Sequence, residues 1–300
     1  MFENDNRLKV IVARKMIVET GVCSIFINFM VYLLKYVSFE CFKTEERRKM
    51  NKIFDAGKDG NIFNGEFEFI DSGFSSGKYN MDFDIERTSL VSAGKALPMF
   101  RVYGWQPWCV SLGANQKESD ILDEECAKRN FEIVRRPTGG RAVLHANEIT
   151  YSVVVPMRDN VTVHDIYREV HVVLLKALQK MGCKSLDFEK SQPDFRDVYS
   201  RETVSVACFA SSARYEIESG GRKLVGSAQR LIGDTLLQHG SILIGSGHEQ
   251  LAYISRVKSE DSRAVLLDYI LKHSVTIEEL LGREVSYEET ADAIFEYFNQ

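Results

Sequence analysis

Ser219-Gly220-Gly221 is the feature that most restricts how this chain can fold. Three residues separate two strand-like runs, 214–218 and 222–228, whereas a parallel connection needs about a dozen residues or more, so these runs must pair antiparallel. A second short connection, the tight turn Pro137-Thr138-Gly139-Gly140, lies between strand-like runs at 131–136 and 142–155. Further strands are predicted at 67–71, 100–103, 109–112, 204–209 and 236–244. Helical spacing marks 76–93 through Met81, Ile85 and Leu90, then 116–130. It is clearest at 163–181, through Ile166, Val170, Val173, Leu174, Ala177 and Leu178, and the chain is mostly helical from His248 onward. Strand pairs closed by short turns and mixed with helices predict an α+β fold, with a mixed, largely antiparallel sheet flanked by helices.

No repeat or linker interrupts the chain after residue 65, so 65–300 is read as one folded domain and 1–64 as an N-terminal extension. Residues 17–37 are mostly apolar behind Arg14 and Lys15, but Glu19, Asn28 and Lys35 interrupt them. Their cleanest apolar run, 22–34, is shorter than the ~20 residues a spanning helix requires. Three readings stay open for this leader: a buried or interfacial helix, a weak membrane anchor, or upstream sequence translated ahead of a start at Met50. A membrane is not an expected partner. The net charge of -5 gives no overall footprint for nucleic acid. The six cysteines, Cys23, Cys41, Cys109, Cys126, Cys183 and Cys208, show neither a C-x-x-C pair nor a zinc spacing. They read as reduced thiols in a cytoplasmic protein, with no metal expected.

Two segments could carry chemistry. In Arg135-Arg136-Pro137-Thr138-Gly139-Gly140-Arg141-Ala142-Val143-Leu144-His145, paired glycines allow close backbone approach to a ligand and three arginines concentrate positive charge. On spacing alone, the default reading is a hairpin with solvated arginines. The second segment holds Ala207-Cys208-Phe209, the run Gly221-Arg222-Lys223-Leu224-Val225-Gly226-Ser227-Ala228-Gln229, and Gln238-His239-Gly240-Ser241. A cysteine in an apolar strand is by default a buried inert thiol, and Lys223 by default a surface lysine. Gly226-Ser227-Ala228 is a small-residue run where packing would favour Val or Ile, and it leaves room for a straight acyl chain against the sheet.

Together these segments resemble the octanoyltransferase and lipoate–protein ligase family, which shares its catalytic fold with biotin–protein ligases. The resemblance spans residues 67–244. Phe69-Ile70-Asp71-Ser72-Gly73 and Tyr103-Gly104-Trp105-Gln106-Pro107, followed by Ser111-Leu112-Gly113, fit the family's opening. Residues 135–145 fit its ligand loop, and residues 221–229 its lysine-bearing hairpin. Arg141 after the glycine pair and Ala207-Cys208-Phe209 look most like the octanoyl-carrier-protein:protein octanoyltransferases. Ala146-Asn147 departs from the pattern, which has an acidic residue there.

The resemblance implies that 65–300 is an acyltransferase catalytic domain, with Cys208 as nucleophile and Lys223 beside it. It implies that Arg136, Thr138, Gly139, Gly140, Arg141, His145, Gly226, Ser227 and Ala228 bind substrate. It implies no cofactor. The implied donor is an octanoyl-acyl carrier protein, and the implied acceptors are lipoyl domains of 2-oxoacid dehydrogenases or the glycine cleavage H protein. Because the donor is expected to be acidic, Arg135, Arg136, Arg141 and Arg222 form a candidate docking patch. Two alternatives remain: an ATP-dependent lipoate–protein ligase, which would not need Cys208, and a non-catalytic protein that binds lipoyl domains or acyl carriers.

Overall fold

The computed structural model describes residues 51–57, 62–63, 65–188 and 216–299. The leader, the predicted strand at 204–209 and Cys208 lie outside the described residues. Strands β1 (Asn51–Asp55), β2 (Glu66–Ser75), β3 (Met99–Trp105), β7 (Glu148–Pro156), β8 (Asp187–Phe188), β9 (Ile217–Ser219), β10 (Arg222–Ile232) and β11 (Thr235–Leu243) build one sheet of eight. Its order is β1-β2-β3-β7-β11-β10-β9-β8, antiparallel except for the β2–β3 pair. A second sheet has the order β5-β4-β6, from β4 (Cys109–Leu112), β5 (Glu132–Arg135) and β6 (Val143–His145). The expected α+β architecture with a mixed, largely antiparallel sheet is what the chain adopts.

β1 lies within the stretch read as an extension. It pairs along its length with β2, and Phe63 stacks on Phe67 with ring centroids 3.9 Å apart, so the sheet starts ahead of residue 65.

The parallel β2–β3 pair is joined by α1 (Gly77–Ser92), capped by the Ser76 side chain on the Tyr79 amide. Its buried face is not the Met81, Ile85, Leu90 stripe that the spacing suggests. Ile85 is exposed, and the residues turned inward are Asn80, Met81, Asp84, Thr88 and Val91. The polar stripe is accommodated because Arg101 of β3 lies beneath it. The other face of the large sheet packs on α3 (Val163–Met181) and α7 (Tyr287–Phe298), burying Phe100, Val102, Val153, Val225 and Ile242 with Val170, Leu174 and Ile294. α3 spans the predicted bounds and starts with a reciprocal Thr162/Asp165 capping box.

The single helix expected at 116–130 is instead a 3₁₀ turn, Glu118–Asp120, followed by α2 (Asp123–Lys128). Ile121 breaks it by bridging to Ser255, and the Leu122 amide bonds the Ile254 carbonyl. The single strand expected at 142–155 is two strands in different sheets, β6 and β7. They part at Ala146-Asn147, where the Asn147 carbonyl accepts the amides of Ile244 and Gly245. The carboxy-terminal part adds α4 (Leu251–Ile254), α5 (Glu260–His273) and α6 (Ile277–Leu281) before α7. Among the described residues, no helix is long and apolar enough to cross a membrane.

Candidate active site

The sheet register assembles the floor of the site. Gly226, Ser241, Thr150 and Tyr103 lie opposite one another across β10, β11, β7 and β3, and Ala228, His239, Ser152 and Arg101 form the parallel row. Directly opposed residues share a face, so all eight point to the side that carries α1. The floor is flat at Gly226 and Ala228 and bulky at Tyr103. Above it, Met81, Trp105, Ser111, Arg136, Val143 and His145 help to close a narrow, largely apolar pocket.

Pro137-Thr138-Gly139-Gly140 is not the tight turn of a hairpin. β4 lies between β5 and β6, so the loop must cross the end of β4 at Gly113. A Cβ on Gly113 would stand 2.0 Å from the Gly140 carbonyl oxygen, and Gly140 itself has φ +95°; both positions require glycine. Arg136 is buried and serves the loop rather than offering its charge outward. Its guanidinium donates to the Ser111 carbonyl at 2.8 Å, the Gly139 carbonyl at 2.9 Å and the Arg141 carbonyl at 2.6 Å. Thr138, also buried, ties the loop to the large sheet through a 2.5 Å hydrogen bond between Oγ1 and His239 Nε2.

One member of the arginine docking patch is corrected. Arg136 faces inward, Arg135 is paired with Glu118 at 3.1 Å, and Arg222 with Glu279 at 2.7 Å. Arg141 is half-buried and Gly139 is exposed.

His145 stacks on Trp105 with ring centroids 4.0 Å apart. Its Nδ1 lies 2.9 Å from Glu148 Oε1 and its Nε2 lies 2.8 Å from Ser111 Oγ, which also accepts from Arg136 at 3.0 Å. The carboxylate that pairs with the His145 ring is therefore that of Glu148, three positions on. Glu148 also accepts from Thr150 Oγ1, which in turn accepts from Trp105 Nε1 at 2.8 Å.

A register shift between Lys223 and Val225 sends Leu224 and Val225 into the core and returns Lys223 to the face of Gly226 and Ala228. The Lys223 ammonium is 2 % exposed and 2.8 Å from Glu216 Oε2, so it is no surface lysine. Ser227 exposes only its backbone to the pocket. Its hydroxyl lies on the opposite face, 2.6 Å from Tyr151 Oη and 3.0 Å from His171 Nε2. Burial lowers the His171 pKa to about 4, and its Nδ1 hydrogen bond to the Tyr167 carbonyl only partly opposes that. The folded state therefore holds His171 neutral. Its stability contribution is complete above the unfolded value near 6.5 and drains away as pH falls toward 4, a loss of about 3 kcal/mol. Urea midpoints at pH 7 and pH 5 are expected to differ more in wild type than in His171→Gln.

Between the same face of the sheet and α1 lies a fully buried cluster that the sequence does not single out. The Arg101 guanidinium sits 2.9 Å from Asp84 and bonds Ser72 Oγ at 2.7 Å and Asn80 Oδ1 at 2.8 Å. Asp84 also accepts from Ser152 at 2.8 Å and Tyr103 at 3.1 Å, and lies 3.7 Å from His239 Nδ1. Burial alone would raise the Asp84 pKa, but Arg101 and His239 outweigh it and hold the carboxyl below its usual value. His239 is pushed down by burial, against the pull of Asp84. The cysteines among the described residues, Cys109, Cys126 and Cys183, are all buried, and burial raises each thiol's pKa, which disfavours the reactive thiolate.

The slot between two sheets, with a small-residue floor and a loop latched across its top, suits a straight aliphatic chain held lengthwise. The chain belongs to the lipoyl protein ligase A/B catalytic domain family, whose profile matches residues 76–299. It is 36% identical over 239 residues to octanoyltransferase LipM of Geobacillus kaustophilus, covering 78% of this chain and 85% of that protein. It is 34% identical over 236 residues to octanoyltransferase LipM of Bacillus subtilis, covering 77% and 84%. Its fold is similar to a bi-partite lipoate protein ligase from Thermoplasma acidophilum, with TM-score 0.57, 19% identity, and 75% of this chain and 80% of that one covered.

Proposed function

We propose that this protein transfers an octanoyl group from octanoyl-acyl carrier protein to a lysine of lipoyl domains, those of 2-oxoacid dehydrogenases or the glycine cleavage H protein. The proposed intermediate is a thioester on Cys208. The observation that carries this reading is the pocket floored by Gly226 and Ala228, with Lys223 returned to the same face of the same strand. The names of the relatives support it.

In the first step the Cys208 thiolate attacks the donor carbonyl. A carbon–sulfur bond forms to Cys208 while the bond to the carrier's sulfur breaks, and the carrier leaves as its thiol after taking a proton. In the second step the acceptor amine attacks. The amide bond forms, Cys208 leaves as thiolate, and the amine's proton is released. The first step exchanges one thioester for another, and the second is downhill because an amide is more stable. The Lys223 ammonium is the cation assigned to favour the thiolate. Arg136 and Thr138 hold the Gly139-Gly140 loop over the acyl chain, Arg141 continues that wall, and His145 forms part of the pocket lining.

The test is the intact mass of an apo lipoyl domain incubated with this protein and octanoyl-acyl carrier protein without ATP. An octanoyl mass increase is expected. Modification only when ATP and free lipoate are supplied would make the protein a ligase instead, and no modification under either condition would favour a binding protein.

A further inference from the structure

Ser241 is buried, lines the pocket, and its hydroxyl has no hydrogen-bond partner among the described residues. A buried hydroxyl left unpaired is costly, and polar pocket groups that go unsatisfied in the empty protein commonly await a ligand atom. Its neighbours in the register do not satisfy it. Gly226 has no side chain, and Thr150 Oγ1 already gives its proton to Glu148 while accepting from Trp105.

The position is informative as well. Ser241 stands opposite Gly226, about 4.8 Å away across the strands, whereas His239 stands opposite Ala228, two residues farther from Lys223. An acyl chain lying over Gly226 with its tail toward Tyr103 and Trp105 brings its polar end, not its methyl end, past Ser241.

We infer that Ser241 Oγ donates a hydrogen bond to the carbonyl oxygen of the bound acyl thioester. This rests on the octanoyl-transfer reading. That oxygen gains negative charge in the tetrahedral intermediate of each acyl step, so the bond strengthens on the way to the transition state and acts on turnover more than on binding. Ser241 is thereby a catalytic residue of the oxyanion type, on a rigid central strand rather than a loop.

The experiment compares wild type, Ser241→Ala and Ser241→Thr in two measurements. In transfer assays, Ser241→Ala is expected to lower kcat about 10²-fold with little change in KM, equally for hexanoyl, octanoyl and decanoyl donors, and Thr to restore most of the rate. A chain-touching residue would instead alter the chain-length profile. In calorimetry, the probes are the carrier bearing a ketone analogue of the octanoyl thioester and the carrier bearing an octyl thioether without a carbonyl. Ser241→Ala is expected to weaken the ketone about tenfold and leave the thioether unchanged.

Turnover of Ser241→Ala within twofold of wild type, a loss that varies with chain length, or equal weakening of both analogues would overturn the inference. Should wild type transfer nothing yet bind the ketone in a Ser241-dependent way, the transfer reading falls and the carbonyl contact stands. Binding of neither analogue would sink both.

Discussion

Cys208→Ala is expected to remove detectable octanoyl transfer while leaving carrier-protein binding within about twofold of wild type, since the substitution deletes a bond-forming atom and not a recognition surface. Cys208→Ser is expected to fail almost as completely. A hydroxyl near neutral pH offers almost no anion for the first attack, and an ester releases its alkoxide less readily than a thioester releases its thiolate. The direct measurement is the intact mass of the enzyme mixed with donor but no acceptor. Wild type is expected to gain one octanoyl group, released by hydroxylamine, and neither variant to gain any. Transfer by Cys208→Ser at the wild-type rate would remove this cysteine from the mechanism. The described cysteines are poor replacements, because burial raises the pKa of each thiol.

The second large effect is on stability. Asp84→Ala strips the Arg101 guanidinium of its carboxylate while both sites are 0 % exposed, and an uncompensated buried charge costs about 3–5 kcal/mol. In a domain of this size that lowers the melting temperature by roughly 10 °C. The effect should reach the pocket, because Asp84 also neighbours His239, and His239 holds Thr138 of the ligand loop. Arg101→Met in the same background is expected to recover much of the loss, since removing both charges leaves none stranded. Thermal melts of the two single variants and the double variant give the coupling. Additive losses would mean that the pair is not the unit the geometry suggests.

Much of this fold is legible in the sequence, for identifiable reasons. α3 is found to the residue because its apolar positions recur at helical spacing and mark one face throughout. The β9–β10 hairpin is found because a three-residue glycine turn leaves no other pairing. Where the reading fails, a partner distant in sequence decides. α1 was given the wrong inward face because its buried residues are polar, and only Arg101, on the next strand, makes that acceptable. The 142–155 run reads as continuous because nothing local shows that Asn147 is drawn to Ile244 and Gly245.

The candidate site divides the same way. Of the residues legible from motifs, Gly226, Ala228 and His145 line the pocket, whereas Lys223 only shares the strand face of Gly226 and Ala228, and Thr138 reaches the pocket through His239. Arg136 was assigned a ligand's charge but is used up on carbonyls of its own loop. Ser241 and His239 belong to the Gln238-His239-Gly240-Ser241 motif, yet their position on the pocket face follows only from the register of three strands.

The loop crossing above Gly113 has a consequence for what this scaffold can be made to accept. The floor of the slot belongs to one sheet and much of its roof to the other, and they are fastened where Thr138, on the loop that crosses Gly113, meets His239. The bore of the slot is therefore a gauge, set by how far apart two stiff plates stand. Trimming a side chain at the far end, such as Met81, lengthens the bore without opening the gauge, and so favours longer straight chains over branched ones. Admitting a branched chain requires the plates to part, and that cannot be done without loosening a fastening on which the ligand loop depends.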